Sequence, residues 1–315
     1  MTQSRMNRRD ALLAALTVGA GVALARTGLS ATTGTGTALA KAIPSSGQKI
    51  PVIGIGTNNY NVADAEEVAA RRAVLEQLPM QGGAVVDTAP LYGQAEQLIG
   101  DLVAGLHNRD HLFLATKVIA QDAKAGAASM EESLRRLKTQ RIDLMQVHNL
   151  IGVEAMIPLL QEWKKAGRIG YYGITTSNPN DHGRMMDYMR RLPMDFIQVD
   201  YSLANRSAGP ELLPLAVQKG IAVIADSPFG GRRAAASVFA QVAGKPLPDW
   251  AAAMQITSWS QLFLKYVVSH PAITCTDPGT TTVGHLADNM AAAHGPMPDA
   301  QLRQKMEALW DGLKS

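Results

Sequence analysis

What constrains this chain most is an alternation repeated eight times: a short apolar run of strand length, then a segment with helical periodicity. The apolar runs are residues 51–58, 84–89, 112–118, 142–148, 169–175, 196–201, 222–227 and 273–276. Between and after them lie 65–78, 96–106, 130–138, 155–165, 182–191, 211–219, 258–269 and 283–293, with apolar residues at the three-and-four spacing of a helix face. Many of the runs are continuously apolar, as strands buried on both faces are. Eight β-then-α units in about 245 residues predict an α/β fold, the single-domain (β/α)8 barrel. A doubly wound sheet usually carries G-x-G-x-x-G after its first strand. Here that place reads G-I-G-T-N-N-Y and lacks the third glycine. Residues 230–255 form a long excursion after the seventh run, and a final helix is expected from 298 onward, starting at an Asp299 cap.

The first forty residues read differently. Arg8-Arg9 stand directly before an apolar run, Ala11 to Ala25, and a polar Ser/Thr/Gly stretch follows. As a helix that run would rise only about 22 Å, short of a hydrocarbon core of roughly 30 Å. A basic start, a short apolar centre and a small-residue end make a secretory signal, and the paired arginines make it resemble the twin-arginine kind. We expect residues 1–40 to be a signal with its linker, engaging the export translocon, with Ala38-Leu39-Ala40 as a cleavage site and Ala23-Leu24-Ala25 as a rival. The remainder, 41–315, would be the periplasmic or exported barrel. Arg5, Arg8, Arg9 and Arg26 against Asp10 account for the whole net charge of +3. The body is therefore formally neutral, which argues for no nucleic acid and no anionic membrane as partner after cleavage. One cysteine, Cys275, excludes an intrachain disulfide and a cysteine-built metal site. The seven histidines show no metal-ligand spacing, so no metal is expected.

In a parallel barrel the chemistry sits at the C-terminal ends of the strands. The second run ends V-V-D-T-A-P-L-Y and offers Asp87 and Tyr92; the third ends A-T-K and offers Lys117; the fourth ends Q-V-H and offers His148. Lysine inside an apolar strand requires a partner, and Asp87 on the next strand is the natural one. A neighbouring Lys⁺ favours a phenolate and would lower the pKa of Tyr92. His148 and Tyr92 together could polarise a carbonyl and protonate the developing alkoxide. No side chain donates hydride, so a nicotinamide cofactor is the simplest source.

From about Lys49 to Ala293 the chain resembles the aldo/keto reductase family. The most specific piece is D-T-A-P-L-Y-G-Q-A-E, Asp87 to Glu96. A-T-K, Q-V-H, K-K-A-G-R-I-G-Y-Y-G-I, F-I-Q-V-D-Y-S-L-A-N-R and I-A-V-I-A-D-S-P-F-G follow in the family's order. The resemblance implies Tyr92 as proton donor, Lys117 and Asp87 as its tuners and His148 as the group that orients the carbonyl. It implies NADP(H), with NAD(H) as the other nicotinamide choice, held by Thr57, Thr175, Thr176, Gln198, Ser227, Thr280, His285, Asp288 and Asn289. Several of these depart from the family pattern. Thr175-Thr176 stand for Ser-Asn, Asp226 stands where an aromatic usually stacks on the ring, and Gly279 and His285 stand where basic residues often meet the 2′-phosphate. Preference for NADPH over NADH should therefore be weaker than family membership alone implies. Asp277-Pro278-Gly279 reads as a turn, and Arg232-Arg233 as a solvated pair or a phosphate clamp. The function expected is an exported carbonyl reductase, or an alcohol dehydrogenase in reverse, acting on a small molecule. The alternative is a barrel drifted to a binding or regulatory role, and nucleotide binding discriminates the two.

Overall fold

The computed structural model describes residues 37–230 and 238–313. The chain enters through an antiparallel hairpin, β1 (Ala40–Ala42) and β2 (Lys49–Pro51). Eight parallel strands follow: β3 (Ile55–Gly56), β4 (Val85–Asp87), β5 (Phe113–Val118), β6 (Ile142–Val147), β7 (Ile169–Thr176), β8 (Phe196–Asp200), β9 (Ala222–Asp226) and β10 (Cys275–Thr276). Each pairs with its sequence neighbour. Bridges Ile53–Thr276 and Gly56–Gly279 join the last strand to the first and close the sheet into the expected (β/α)8 barrel. The helices are α1 (Ala65–Met80), α2 (Ala95–Leu106), α3 (Ala123–Arg136), α4 (Val153–Lys165), α5 (His182–Arg191), α6 (Leu212–Lys219), α7 (Val238–Val242), α8 (Trp259–Val268), α9 (Val283–Ala291) and α10 (Ala300–Leu313).

Capping chemistry sets several helix starts. Asp64 accepts from Glu66 N and Glu67 N, and Ser258 accepts from Gln261 N. Asp299 accepts from Leu302 N at 2.8 Å, the cap expected for the final helix. Helix α3 begins well before its predicted start because Asp122 accepts from Ala125 N there, over a stretch too alanine-rich to show a periodic stripe. The described part of the long excursion holds α7 and a 3-10 segment, Asp249–Met254, in which Trp250 packs against the main core.

Period-two alternation turns this barrel into a scaffold for a site. One core cluster lies inside the strands and contains Val85, Phe113, Ala115, Leu144, Tyr171, Phe196, Ala222, Ile224 and Cys275, with Ile43 and Ile50 of the hairpin beneath. Stepping by two from those residues towards the strand ends gives Asp87, Lys117, Gln146, His148, Thr175, Gln198, Asp200, Asp226 and Asp277. The barrel interior is thus apolar at one end and polar at the other. The hairpin seals the apolar end: Ser46 Oγ lies 2.7 Å from Tyr171 Oη, and Tyr171 donates to Gln48 Oε1 at 2.8 Å. Lys41 Nζ donates to the carbonyls of Val268, His270 and Ile273 at 2.8, 2.9 and 2.7 Å.

The predicted leader, with Arg8-Arg9 and the rival cleavage point at Ala25, lies outside the described residues. The preferred cleavage point does not. Ala40 opens β1, Leu39 N donates to Ala293 O at 2.9 Å, and Val52 N donates to Leu39 O at 3.0 Å. A cut after Ala40 would sever the hairpin strand, because the described folded unit already includes Leu39 and Ala40. None of the described helices is long and apolar enough to cross a membrane.

Candidate active site

Lys117 reaches the mouth from the inward face of β5. Its Nζ donates to Asp87 Oδ2 at 2.6 Å and to Thr88 O at 2.9 Å. Both side chains are almost completely buried, 2% and 3% exposed, so neither charge would survive there without the other. Burial opposes the ammonium, but Asp87 and Tyr92 outweigh it and leave Lys117 more firmly protonated than usual. Thr57 clamps the Asp87 backbone, its N and Oγ1 both donating to Asp87 O at 3.0 and 2.8 Å.

Tyr92 is delivered by a 3-10 turn, Pro90–Tyr92, directly after β4. Pro90 starts the turn with its φ already set, and Tyr92 N closes it onto Ala89 O at 3.0 Å. Gly93 leaves it at φ +64°, pressed against Asn61, where a Cβ would lie 2.6 Å from the Asn61 side chain. Asn61 Oδ1 in turn accepts from Gln94 N at 3.0 Å. So fixed, the Tyr92 ring lies 5.3 Å from Lys117 Nζ and meets His148 edge-on, ring centroids 6.3 Å apart. Burial pushes the Tyr92 hydroxyl up to about 12; Lys117 pulls it down, and Asp87, Asp277 and Asp226 push it up again. The lowering expected from the lysine alone is present but outweighed. Burial, helped by Lys117, takes His148 down to about 3, so the imidazole is neutral. Its Nδ1 is buried without a partner among the described residues. Directly behind it Asn149 and Leu150 both take positive φ, +54° and +55°, and Ser227 behind Asp226 takes +52°. Non-glycine residues accept that region rarely, and it clusters where side chains are held for a purpose.

The residues expected to hold a cofactor divide into two groups. Thr176 donates to Asp181, and Thr280 donates to Pro278 O while accepting from Asn289. Asp288 accepts from Ser258 and Gln261. Gln198 donates to Asp277 and accepts from Gln146. These, with Thr57, are engaged inside the protein and brace the mouth. Thr175 and Ser227 stand at the ends of β7 and β9, and His285 is exposed in the first turn of α9. That turn is capped by Thr282, and a Cβ at Gly284 would meet open space. Arg232-Arg233 lie outside the described residues. Sequence reading missed Gln146 as an inward polar group and took Asp277 for a turn residue. The signal for both was their parity with Leu144 and Cys275. No group of three or more His, Cys, Asp or Glu that could hold a metal occurs among the described residues.

A closed parallel barrel with a buried Asp–Lys pair, a tyrosine and a neutral histidine at its polar mouth is the architecture of a carbonyl oxidoreductase. Residues 52–310 match the aldo/keto reductase family, and the chain belongs to that family of nicotinamide-dependent oxidoreductases acting on carbonyl groups. It is 29% identical over 263 residues to the methylglyoxal reductase YeaE of Escherichia coli, covering 80% of this chain and 89% of that protein. It is 33% identical over 170 residues to the aldo-keto reductase YhdN of Bacillus subtilis, about half of each chain at 49%. A solved aldo/keto reductase of Klebsiella pneumoniae, in complex with NADP and acetate, superposes with a TM-score of 0.68 at 27% identity, covering 84% of this chain and 93% of that one. A holo aldo-keto reductase of Bacillus halodurans gives 0.70 at 25% identity, covering 86% and 96%.

Proposed function

We propose that this chain is an exported NADP(H)-dependent reductase of small aldehydes or ketones in which Tyr92 is the proton donor. The observation that carries the reading is the buried Lys117–Asp87 pair, with Lys117 Nζ 5.3 Å from the Tyr92 ring and the neutral His148 edge-on to that ring at 6.3 Å. The small size of the substrate is supported by the likeness to a methylglyoxal reductase. The nicotinamide requirement is supported by the relatives solved with NADP or NADPH. Export rests on the Arg8-Arg9 leader in the sequence.

The residues present suit a dinucleotide. Gln146 Oε1, Thr88 Oγ1 and His148 Nδ1 are buried polar atoms without partners among the described residues, and a carboxamide ring offers both donors and an acceptor to such atoms. Thr175 and Ser227 supply hydroxyls, and the exposed first turn of α9 supplies amide groups for phosphate. Between residues 277 and 289 the one ionisable cation is His285. When bound, the nicotinamide supplies the hydride. The protein's part is to hold the carbonyl oxygen between Tyr92 Oη and the His148 imidazole and to pass it the Tyr92 proton. Lys117 stabilises the phenolate that remains, and Asp87 keeps Lys117 charged and in place.

The test is Tyr92→Phe. Turnover of methylglyoxal with NADPH should fall by roughly 10²–10⁴-fold, the usual worth of a general acid. Nucleotide affinity, read from tryptophan quenching, should be unchanged. If folded wild-type protein binds neither NADPH nor NADH, the reductase reading is wrong and the binding-protein alternative replaces it.

A further inference from the structure

Two carboxyl groups converge where one would suffice to hold Lys117. Asp277 follows β10 one inward step beyond Cys275, and it is 6% exposed. Its Oδ2 accepts from Gln198 Nε2 at 2.9 Å, and Gln198 Oε1 accepts from Gln146 Nε2 at 3.0 Å. On Asp87, Oδ2 is taken by Lys117. Each residue keeps one buried oxygen, Oδ1, with no donor among the described residues. Between the strands that carry them stands Gly56, which contributes no side chain. A hydrogen bond between the two carboxyl groups, which lie close enough to interact strongly, would satisfy both of these oxygens. Two carboxylates cannot do this, because each is only an acceptor; a carboxylic acid and a carboxylate can.

The surroundings decide which of the two holds the proton. Asp87 accepts from the Lys117 ammonium at 2.6 Å. Asp277 receives one neutral amide donor. Burial, then Asp87 and Asp226, drive its carboxyl well above the usual carboxylate range, and Lys117 opposes them incompletely. We propose that Asp277 is a positioning residue of the catalytic group, keeping a proton at neutral pH and donating it as a hydrogen bond to Asp87 Oδ1.

This deepens the reductase reading at the same site, because the bond divides the charge of Asp87. With part of that charge drawn to Asp277, Lys117 is less completely neutralised and presents a stronger field to the Tyr92 phenolate. When Asp277 ionises, the mouth gains a carboxylate and Tyr92 holds its proton more tightly. The titratable groups that face Asp277 are Asp87 on β4, Tyr92 on the turn after it, Lys117 on β5, Asp226 on β9 and Cys275 on β10. Cys275 stays a thiol, pushed up by burial and by Asp277 itself. Asp226 is pushed up to about 7, by burial and by Asp200, and has to be separated from Asp277 experimentally.

Infrared spectroscopy at pH 7 in an Asp226→Asn background makes the separation. That protein should show the carbonyl stretch of a protonated carboxyl, shifted in D2O. Adding Asp277→Asn should abolish the band. Asparagine at 277 still accepts from Gln198 and offers N–H to Asp87, so the fold is preserved. A second readout is the ultraviolet titration of Tyr92, taken as a difference against Tyr92→Phe in each background. Asp277→Asn should move it down by about one pH unit, since the variant cannot form the extra carboxylate. A band missing at pH 7 in the Asp226→Asn background, or one that survives the added Asp277→Asn, overturns the proton assignment; an unmoved Tyr92 titration overturns the positioning role. Neither measurement uses nucleotide or substrate, so failure here leaves the test of reductase activity standing.

Discussion

At the scale of the residue, the mouth is crowded with carboxyl groups: Asp87, Asp200, Asp226 and Asp277 all project inward on the parity of their strands. Asp226 gives a measurable consequence. Its carboxyl titrates near 7, raised first by burial and then by Asp200, whereas an unfolded aspartate titrates near 4. Between those values the folded state holds the extra proton, so stability falls as pH rises from about 4 to 7. Asp226→Asn should therefore stabilise the fold by roughly 1–3 kcal/mol at pH 8 and by little at pH 4, as read by urea denaturation at the two pH values. Tyr92 gives another. With its hydroxyl near 12, it is a fully loaded acid at neutral pH and a scarce base. Carbonyl reduction should be nearly level from pH 6 to 8. Alcohol oxidation, which needs the phenolate, should still be climbing at pH 10. Equal pH profiles in the two directions would contradict Tyr92 as the shared group.

At the scale of the element, strands were far more legible than the contacts at their ends. All eight apolar runs became barrel strands, because continuous apolarity, flanking turns and strand length agreed at each. The Asp87–Lys117 pair was legible because a lysine inside a buried strand demands an acid beside it. The internal engagement of Gln198, Asp288 and Asn289 was not, since nothing local says which of two nearby donors an amide will choose. Also illegible was the hairpin β1–β2. It is too short to show a period, and its stability comes from the barrel floor it covers. Ile43 is fully buried there with Phe113, Tyr171 and Phe196. Ile43→Ala should cost about 2–5 kcal/mol, seen as a lower urea midpoint, with kcat unchanged because the site lies at the opposite end of the strands. At α9, His285→Lys should strengthen NADPH binding about tenfold and leave NADH unchanged, since a fixed charge at that turn serves the 2′-phosphate alone.

At the scale of the whole molecule, the folded unit reaches back past Ala40, and this bears on processing. A protease that cuts after a small residue needs an extended, accessible segment, and Leu39 and Ala40 are bonded into the hairpin. If the leader is removed after folding, the cut falls upstream, and Ala23-Leu24-Ala25 becomes the better site. If the chain is exported as proposed, N-terminal sequencing of the mature protein should return a start before residue 38. A start at Lys41 would mean that processing precedes folding.

The ties of that hairpin run to the far end of the sequence. Leu39 is held by Ala293, Lys41 by the carbonyls of Val268, His270 and Ile273, and the first barrel strand by the last. None of these partners exists until the ribosome has reached residue 268, and the last of them, Ala293, comes 25 residues later. The earliest-made part of the fold therefore waits for the latest, at the large loop-closure cost such distant pairs carry. A chain cut short by a nonsense codon would keep an open sheet edge and an undocked N-terminal segment, and proteases read both as unfinished. Closure of the ring thus reports that the chain has been made as far as Ala293, and quality control can read that report without ever touching the mouth.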